Sequence, residues 1–140
     1  MGINLVNNIL TKEVIEMNII TTNYAPLAIG PYSQATEFNG LIFVSGQLPI
    51  DPSTGNIVEG DIKAMTRQSM NNIKAILEAA GSSMDKVLKT TVLVKDIRTF
   101  KDVNEAYGEF FSNNTPARAC FEVSNLPKGA MIEIEAIAHK

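Results

Sequence analysis

Between Thr115 and Ala138 the chain reads TPARACFEVSNLPKGAMIEIEAIA, and this stretch holds the side chains best suited to chemistry. A single arginine, Arg118, opens one alternating segment, and two glutamates, Glu133 and Glu135, sit inside the next. Strand alternation puts Arg118, Cys120 and Glu122 on one face and Ala117, Ala119, Phe121 and Val123 on the other. In the second segment Ile132, Ile134, Ala136 and Ala138 oppose Glu133, Glu135 and Ile137. A carboxylate in the middle of an apolar strand is costly to bury unless it is paired or used. Two readings follow. In one, these charges are solvated on the wet face of an antiparallel sheet. In the other, the planar guanidinium of Arg118 grips a carboxylate through two parallel hydrogen bonds, leaving Glu133 free for proton transfer. Alternation leaves the register of the two segments open, and with it whether these side chains meet.

Absences narrow the chemistry. With one histidine, His139, and one cysteine, Cys120, a zinc site of His and Cys type cannot be assembled within a chain. A Ser-His-Asp arrangement is disfavoured by the penultimate position of His139. No GxGxxG or GxxxxGK[ST] run offers a phosphate cradle. Catalysis must therefore come from Arg, Glu, Tyr, Ser, Thr and the backbone, with neither metal nor cofactor expected. The net charge of −3 and the scattered Lys and Arg residues argue against nucleic acid as partner. A lone cysteine and the lack of a secretory pattern lead to an expectation of the reducing cytoplasm. No stretch suits a membrane span.

The elements that must position these residues form one domain. A chain of 140 residues is long enough to bury roughly 68 to 70% of the surface its unfolded form exposes. Residues 1–16 read as an N-terminal extension with weak ordering signals, a short docked helix on Leu5, Ile9 and Leu10 being the competing reading, and the domain spans 17–140. A strand is expected at 19–22, followed by a loop punctuated by Pro26, Gly30 and Pro31 that presents Tyr32. Asn39-Gly40 between apolar runs signals a hairpin joining strands 35–38 and 41–45. The second strand runs into Ser45-Gly46-Gln47, where glycine permits close approach. Residues 51–56 read as a turn-rich loop without chemistry.

Asp61 caps an expected helix with an apolar stripe through Ile62, Met65, Ser69, Ile73, Ile76, Leu77 and Ala80, ended by Gly81. VLKTTVLV at 87–94 suits a central strand. Thr99 with Asp102 opens a second helix, its stripe expected through Phe100, Val103, Tyr107, Phe110 and Phe111. The fold class is α+β, a mixed sheet with both helices on one face. Leu41, Phe43 and the odd-numbered side of the last strand leave apolar groups on the other face, so association is expected there.

Pro116-Ala117-Arg118, Leu126 eight residues after the arginine, and Ile132-Glu133-Ile134 after a short loop resemble the RidA family, also called the YjgF family. The likeness extends through Gly30-Pro31-Tyr32, Ser45-Gly46-Gln47, Arg67 to Gly81, Lys89 to Val92 and Val103-Asn104. The resemblance implies a chorismate-mutase-like fold and a homotrimer with a pocket at each subunit boundary. In the imine-deaminase branch, reactive 2-imino or enamino acids released by pyridoxal-phosphate enzymes are hydrolysed to 2-keto acids and ammonia without a cofactor. Carried over by position, Arg118 binds the substrate carboxylate and Gly46 and Cys120 offer backbone groups. Ser45 and Asn104 complete the substrate contacts, Glu133 handles the attacking water, and Tyr32 enters from a neighbouring subunit. A trimer that binds 2-keto acids without turnover, or holds other proteins, is the alternative; RNA cleavage is weaker still on charge.

Overall fold

The computed structural model describes residues 16–140; the expectations for residues 1–16, apart from Glu16 itself, lie outside the described residues. In chain order the elements are β1 (Asn18–Ile20), β2 (Ala35–Phe38), β3 (Leu41–Gln47), β4 (Ile50–Asp51), β5 (Asn56–Ile57), α1 (Ile62–Ala79), β6 (Val87–Val94), α2 (Phe100–Gly108), β7 (Ala117–Glu122) and β8 (Ile132–His139). Six strands form one sheet in the order β1-β2-β3-β8-β6-β7, and β4 pairs with β5 in a separate small hairpin. All pairings of the main sheet are antiparallel except β6 with β7, which the α2 crossover makes parallel. The result is the α+β class with a mixed sheet.

Local chemistry explains most of these boundaries. Asn39 and Gly40 both adopt positive φ, 50° and 81°, as a tight two-residue hairpin turn requires. At the start of α1 a carboxylate oxygen of Asp61 accepts the Ala64 N–H at 2.9 Å. At its end Gly81, with φ 78°, donates to the Glu78 carbonyl while the Ser82 N–H reaches back to Leu77 at 2.8 Å. Those paired bonds close the last turn and stop the helix.

The second helix departs from expectation. Thr99 caps nothing with its side chain, and its hydroxyl donates to the Asp96 carbonyl at 2.6 Å. Asp96, capping a 3-10 turn at Ile97–Thr99, is the residue that begins this region. The helix ends at Gly108, so Phe110 and Phe111 lie beyond it, partly buried against the core. Phe100, expected in the buried stripe, is 38% exposed, whereas Val103 and Tyr107 are buried as the spacing requires.

Both helices lie on one side of the sheet. Ile42, Val92, Ile132 and Ile134 from the strands meet Met70, Ile73, Ile76 and Leu77 from α1 in a core that excludes solvent. Across the opposite face, Phe43 pairs with Ile137, and Ile137 with Lys89. Leu93 pairs on its two sides with Glu133 and Phe121. Leu41, Phe43 and Phe121 remain 40 to 50% exposed there, an apolar surface with nothing from the described residues over it.

Candidate active site

The site begins at an irregularity. The register of β3 against β8 slips between Val44 and Gln47, so Ser45 and Gly46 bulge out of the ladder opposite Ile134 to Ala136. Glu133 extends over this bulge. A Cβ placed on Gly46 would lie 2.2 Å from a Glu133 carboxylate oxygen and 2.9 Å from its carboxyl carbon, so only glycine admits the carboxylate at this distance. Burial pushes the Glu133 carboxyl above the usual carboxylate range, and the neighbouring charge of Glu135 pushes it in the same direction. A group so tuned takes up and returns a proton closer to neutrality.

Around Glu133 opens a cleft of about 880 Å³. Ser45 and Gly46 form its floor, Tyr32 and Ile29 one wall, and Leu48 and Pro52 another. Residues 51–56, read from sequence as a loop without chemistry, thus contribute the β4–β5 hairpin to the wall of the cleft. Tyr32 is 53% exposed, with its hydroxyl accepting only a long contact from the Ile29 N–H at 3.4 Å. The Ser45 hydroxyl is spoken for, donating to the Ser33 carbonyl at 2.6 Å.

Arg118 lies elsewhere. Because β6 stands between β7 and β8, Arg118 pairs with Thr90 and Thr90 with Ala136, which puts the guanidinium on the helix-covered face. It packs over the rings of Tyr107 and Phe100, 4.9 and 5.3 Å from their centroids. One terminal nitrogen donates to the Asn104 side-chain carbonyl at 2.8 Å. Among the described residues no carboxylate forms an ion pair with it. A guanidinium fixed by two aromatic faces and one amide, with no counter-charge among the described residues, keeps donors that suit a planar anion.

Cys120 shares this face, half-buried beside Arg118. Burial raises its thiol above the ordinary range, which the nearby guanidinium only partly offsets, so it has less thiolate character than a free cysteine.

The expected site residues therefore fall into two groups. Tyr32, Ser45, Gly46 and Glu133 line the cleft, while Arg118, Asn104 and Cys120 gather under α2 on the other face of the sheet. The resemblance grouped Glu133 and Gly46 with Arg118 and left only Tyr32 to a neighbour. Within one chain the division runs differently, because the register through β6 sets Arg118 in line with Thr90 and Ala136, on the face opposite Glu133. Phe100 and Tyr107, read as core residues, turn out to seat Arg118, and no sequence pattern distinguishes that from packing. Among the described residues no cluster of His, Cys, Asp and Glu could hold a metal, and no helix is long and apolar enough to cross a membrane.

Comparison with known proteins decides the lineage. Residues 22–140 match the model of the family described as Endoribonuclease L-PSP. The chain belongs to this family, the YjgF/RidA family. A RutC family protein of Pyrococcus horikoshii is 57% identical over 122 residues, 87% of this chain and 97% of that protein. A 2-iminobutanoate/2-iminopropanoate deaminase of Salmonella typhimurium is 50% identical over 85% of this chain and 94% of its own length. Among solved structures, Escherichia coli TdcF with bound serine superposes with a TM-score of 0.85 at 43% identity, covering 88% of this chain and 98% of that one. The YjgF/RidA match takes in every residue of both groups described above.

Proposed function

We propose that this YjgF/RidA protein hydrolyses 2-imino acids to 2-keto acids and ammonia, in pockets completed between neighbouring copies of a homotrimer. The observation that carries the reading is the pair of incomplete half-sites. Arg118 offers a seated guanidinium without an anion, and the opposite sheet face holds a proton-tuned carboxylate in an open cleft. The cleft supplies the carboxylate, and Arg118 supplies a fixed two-pronged donor that the single ammonium of Lys128 at the cleft does not. The uncovered apolar face gives a physical reason for copies to associate and bring one copy's Arg118 to the next copy's Glu133. The deaminase name of the Salmonella relative and the serine bound to TdcF, an amino acid with the same α-carboxylate, support the substrate class.

In the reaction, the substrate carboxylate takes the two-pronged edge of Arg118, fixing the C=N carbon near Glu133. Glu133 removes a proton from water as the oxygen attacks that carbon, giving a carbinolamine. The proton passes to nitrogen to complete the carbinolamine; Glu133 then takes the carbinolamine hydroxyl proton and delivers it to the same nitrogen, so the C–N bond breaks and ammonia leaves as the C=O bond of the 2-keto acid forms. Acid-base help of this kind contributes typically 10² to 10⁴-fold. The raised position of the Glu133 carboxyl suits it to both transfers. Cys120 takes no covalent part, since its thiol has less thiolate character than a free cysteine. The acidic balance, net charge −3, weighs against the ribonuclease activity in the family description.

The test is release of ammonia and 2-ketobutyrate from freshly generated 2-iminobutanoate. Saturable turnover that Arg118→Ala and Glu133→Gln each abolish is expected. Binding of 2-ketobutyrate with no acceleration of imine loss would replace the hydrolase by a non-catalytic binding trimer.

A further inference from the structure

Gln34 is 2% exposed and stands where the cleft's two lining segments meet. Its side chain is fully engaged. The amide oxygen accepts the Thr22 N–H at 2.7 Å, while the amide nitrogen lies within bonding distance of three carbonyls, those of Thr22 at 3.0 Å, Ala25 at 3.3 Å and Pro26 at 2.8 Å. Only one orientation of the amide satisfies an N–H and several carbonyls together. All four contacts go to the backbone of residues 22–26, the base of the loop that continues through Leu27 and Ile29 to Tyr32. That loop has no regular secondary structure to hold it, and Tyr24, Leu27 and Ile29 are 58 to 81% exposed. The main chain of Gln34 faces the other way. Its carbonyl accepts the Ser45 N–H at 3.0 Å, and the Ser45 hydroxyl bonds to the Ser33 carbonyl, directly beside Gly46 and its contact with Glu133.

We infer that Gln34 is a positioning residue, which sets the Tyr32 wall of the cleft at a fixed distance from the Ser45-Gly46 floor under Glu133. The inference rests on the hydrolase reading for its kinetic consequence, but not for its structural one. A buried amide mimics the backbone partner that an irregular loop lacks, and a loop tied only at its base transmits any slack to its tip. Nothing in the catalytic chemistry uses Gln34. Its effect is on where substrate sits, so substrate capture should suffer before the chemical step does.

The deciding variant is Gln34→Glu, which keeps size and the acceptor but aims a carboxylate at three carbonyl oxygens. Amide exchange by mass spectrometry should show segment 22–32 opening about tenfold more often, with α1 and β6 protected as in wild type. With 2-iminobutanoate, kcat/KM should fall about ten- to a hundredfold, mainly through KM. In a Tyr32→Ala background the same change should cost less than about threefold, because the loop it positions has already lost its contact. Gln34→Asn, which keeps the amide but forfeits its reach, carries the same readouts should the glutamate variant not fold. Unchanged exchange in 22–32 would overturn the inference, as would effects of Gln34 and Tyr32 that multiply in full, or protection lost evenly across the domain. A wild-type protein without imine turnover would remove the hydrolase reading while the exchange measurement still decides the role of Gln34.

Discussion

The absence of one methyl group at Gly46 decides where a carboxylate can stand. In Gly46→Ala the new Cβ would meet a Glu133 oxygen at 2.2 Å, yet the obstructing atom is the end of a flexible side chain, so the fold should survive. The expected result is a melting temperature within a few degrees of wild type and kcat lowered about a hundredfold by the displaced base; a turnover assay beside a thermal melt checks both. Glu133 makes a complementary prediction. Its carboxyl is raised in the folded protein, first by burial and then by Glu135, so the protonated form favours folding. That stabilisation is fully present below the ordinary carboxylate range and is lost as pH rises through the raised value. Glu133→Gln should therefore melt higher than wild type at pH 7 to 8, with the difference vanishing near pH 4, while kcat collapses. Arg118→Lys keeps the charge but not the fork, and a compact ammonium cannot lie flat on Phe100 and Tyr107 as the guanidinium does. Losing one charged hydrogen bond should weaken 2-ketobutyrate binding, read by calorimetry, by about ten- to a hundredfold.

Among the elements, the legible ones are those whose ends are written in local chemistry. Asn39-Gly40 announces its hairpin because few other pairs tolerate two positive φ angles in succession, and Asp61 and Gly81 bracket α1 for equally local reasons. Strand order is not local. Alternation assigned Arg118 and Glu133 to the right faces of their own strands, but a period of two carries no information about which strands are neighbours. Hence the insertion of β6 between β7 and β8, and the register through it that puts Arg118 and Glu133 on opposite faces, are out of reach of the pattern. The bulge at Ser45-Gly46 was visible only as a glycine, and the hairpin β4–β5 only as turn residues. Asn72 shows a related blindness. On the apolar stripe of α1 it is a polar interruption, 1% exposed, and its amide donates to the Leu48 and Ile50 carbonyls at 3.2 and 2.9 Å. Those bonds hold the strand leading from the cleft floor into the β4–β5 wall. Asn72→Ala strands both carbonyls without donors, so a loss of about 1 to 3 kcal/mol in urea unfolding is expected, with KM raised.

For the whole molecule, the feature that bears on the proposed site is that its two charged groups stand on different faces of one sheet. Arg118 and Glu133 sit on opposite faces of one sheet, and no side-chain rotation carries either through the core between them. In the proposed site a second copy brings them together. If sites form between copies, an Arg118→Ala subunit still offers an intact Glu133, and a Glu133→Gln subunit still offers an intact Arg118. Each variant alone should be inactive. Unfolded together and refolded as mixed trimers, they should regain activity, because a boundary drawing its arginine from one variant and its glutamate from the other is wild type at both positions. Random mixing at equal amounts gives about a quarter of boundaries that composition. Recovery should accordingly approach about a quarter of wild-type turnover, peak at equal mixing, and require refolding rather than simple mixing of finished trimers. Sedimentation of the mixture must show the trimer for the comparison to hold. Co-refolded mixed trimers that stay as inactive as their parents would mean that Arg118 and Glu133 do not meet between copies, and the boundary pocket would have to be given up.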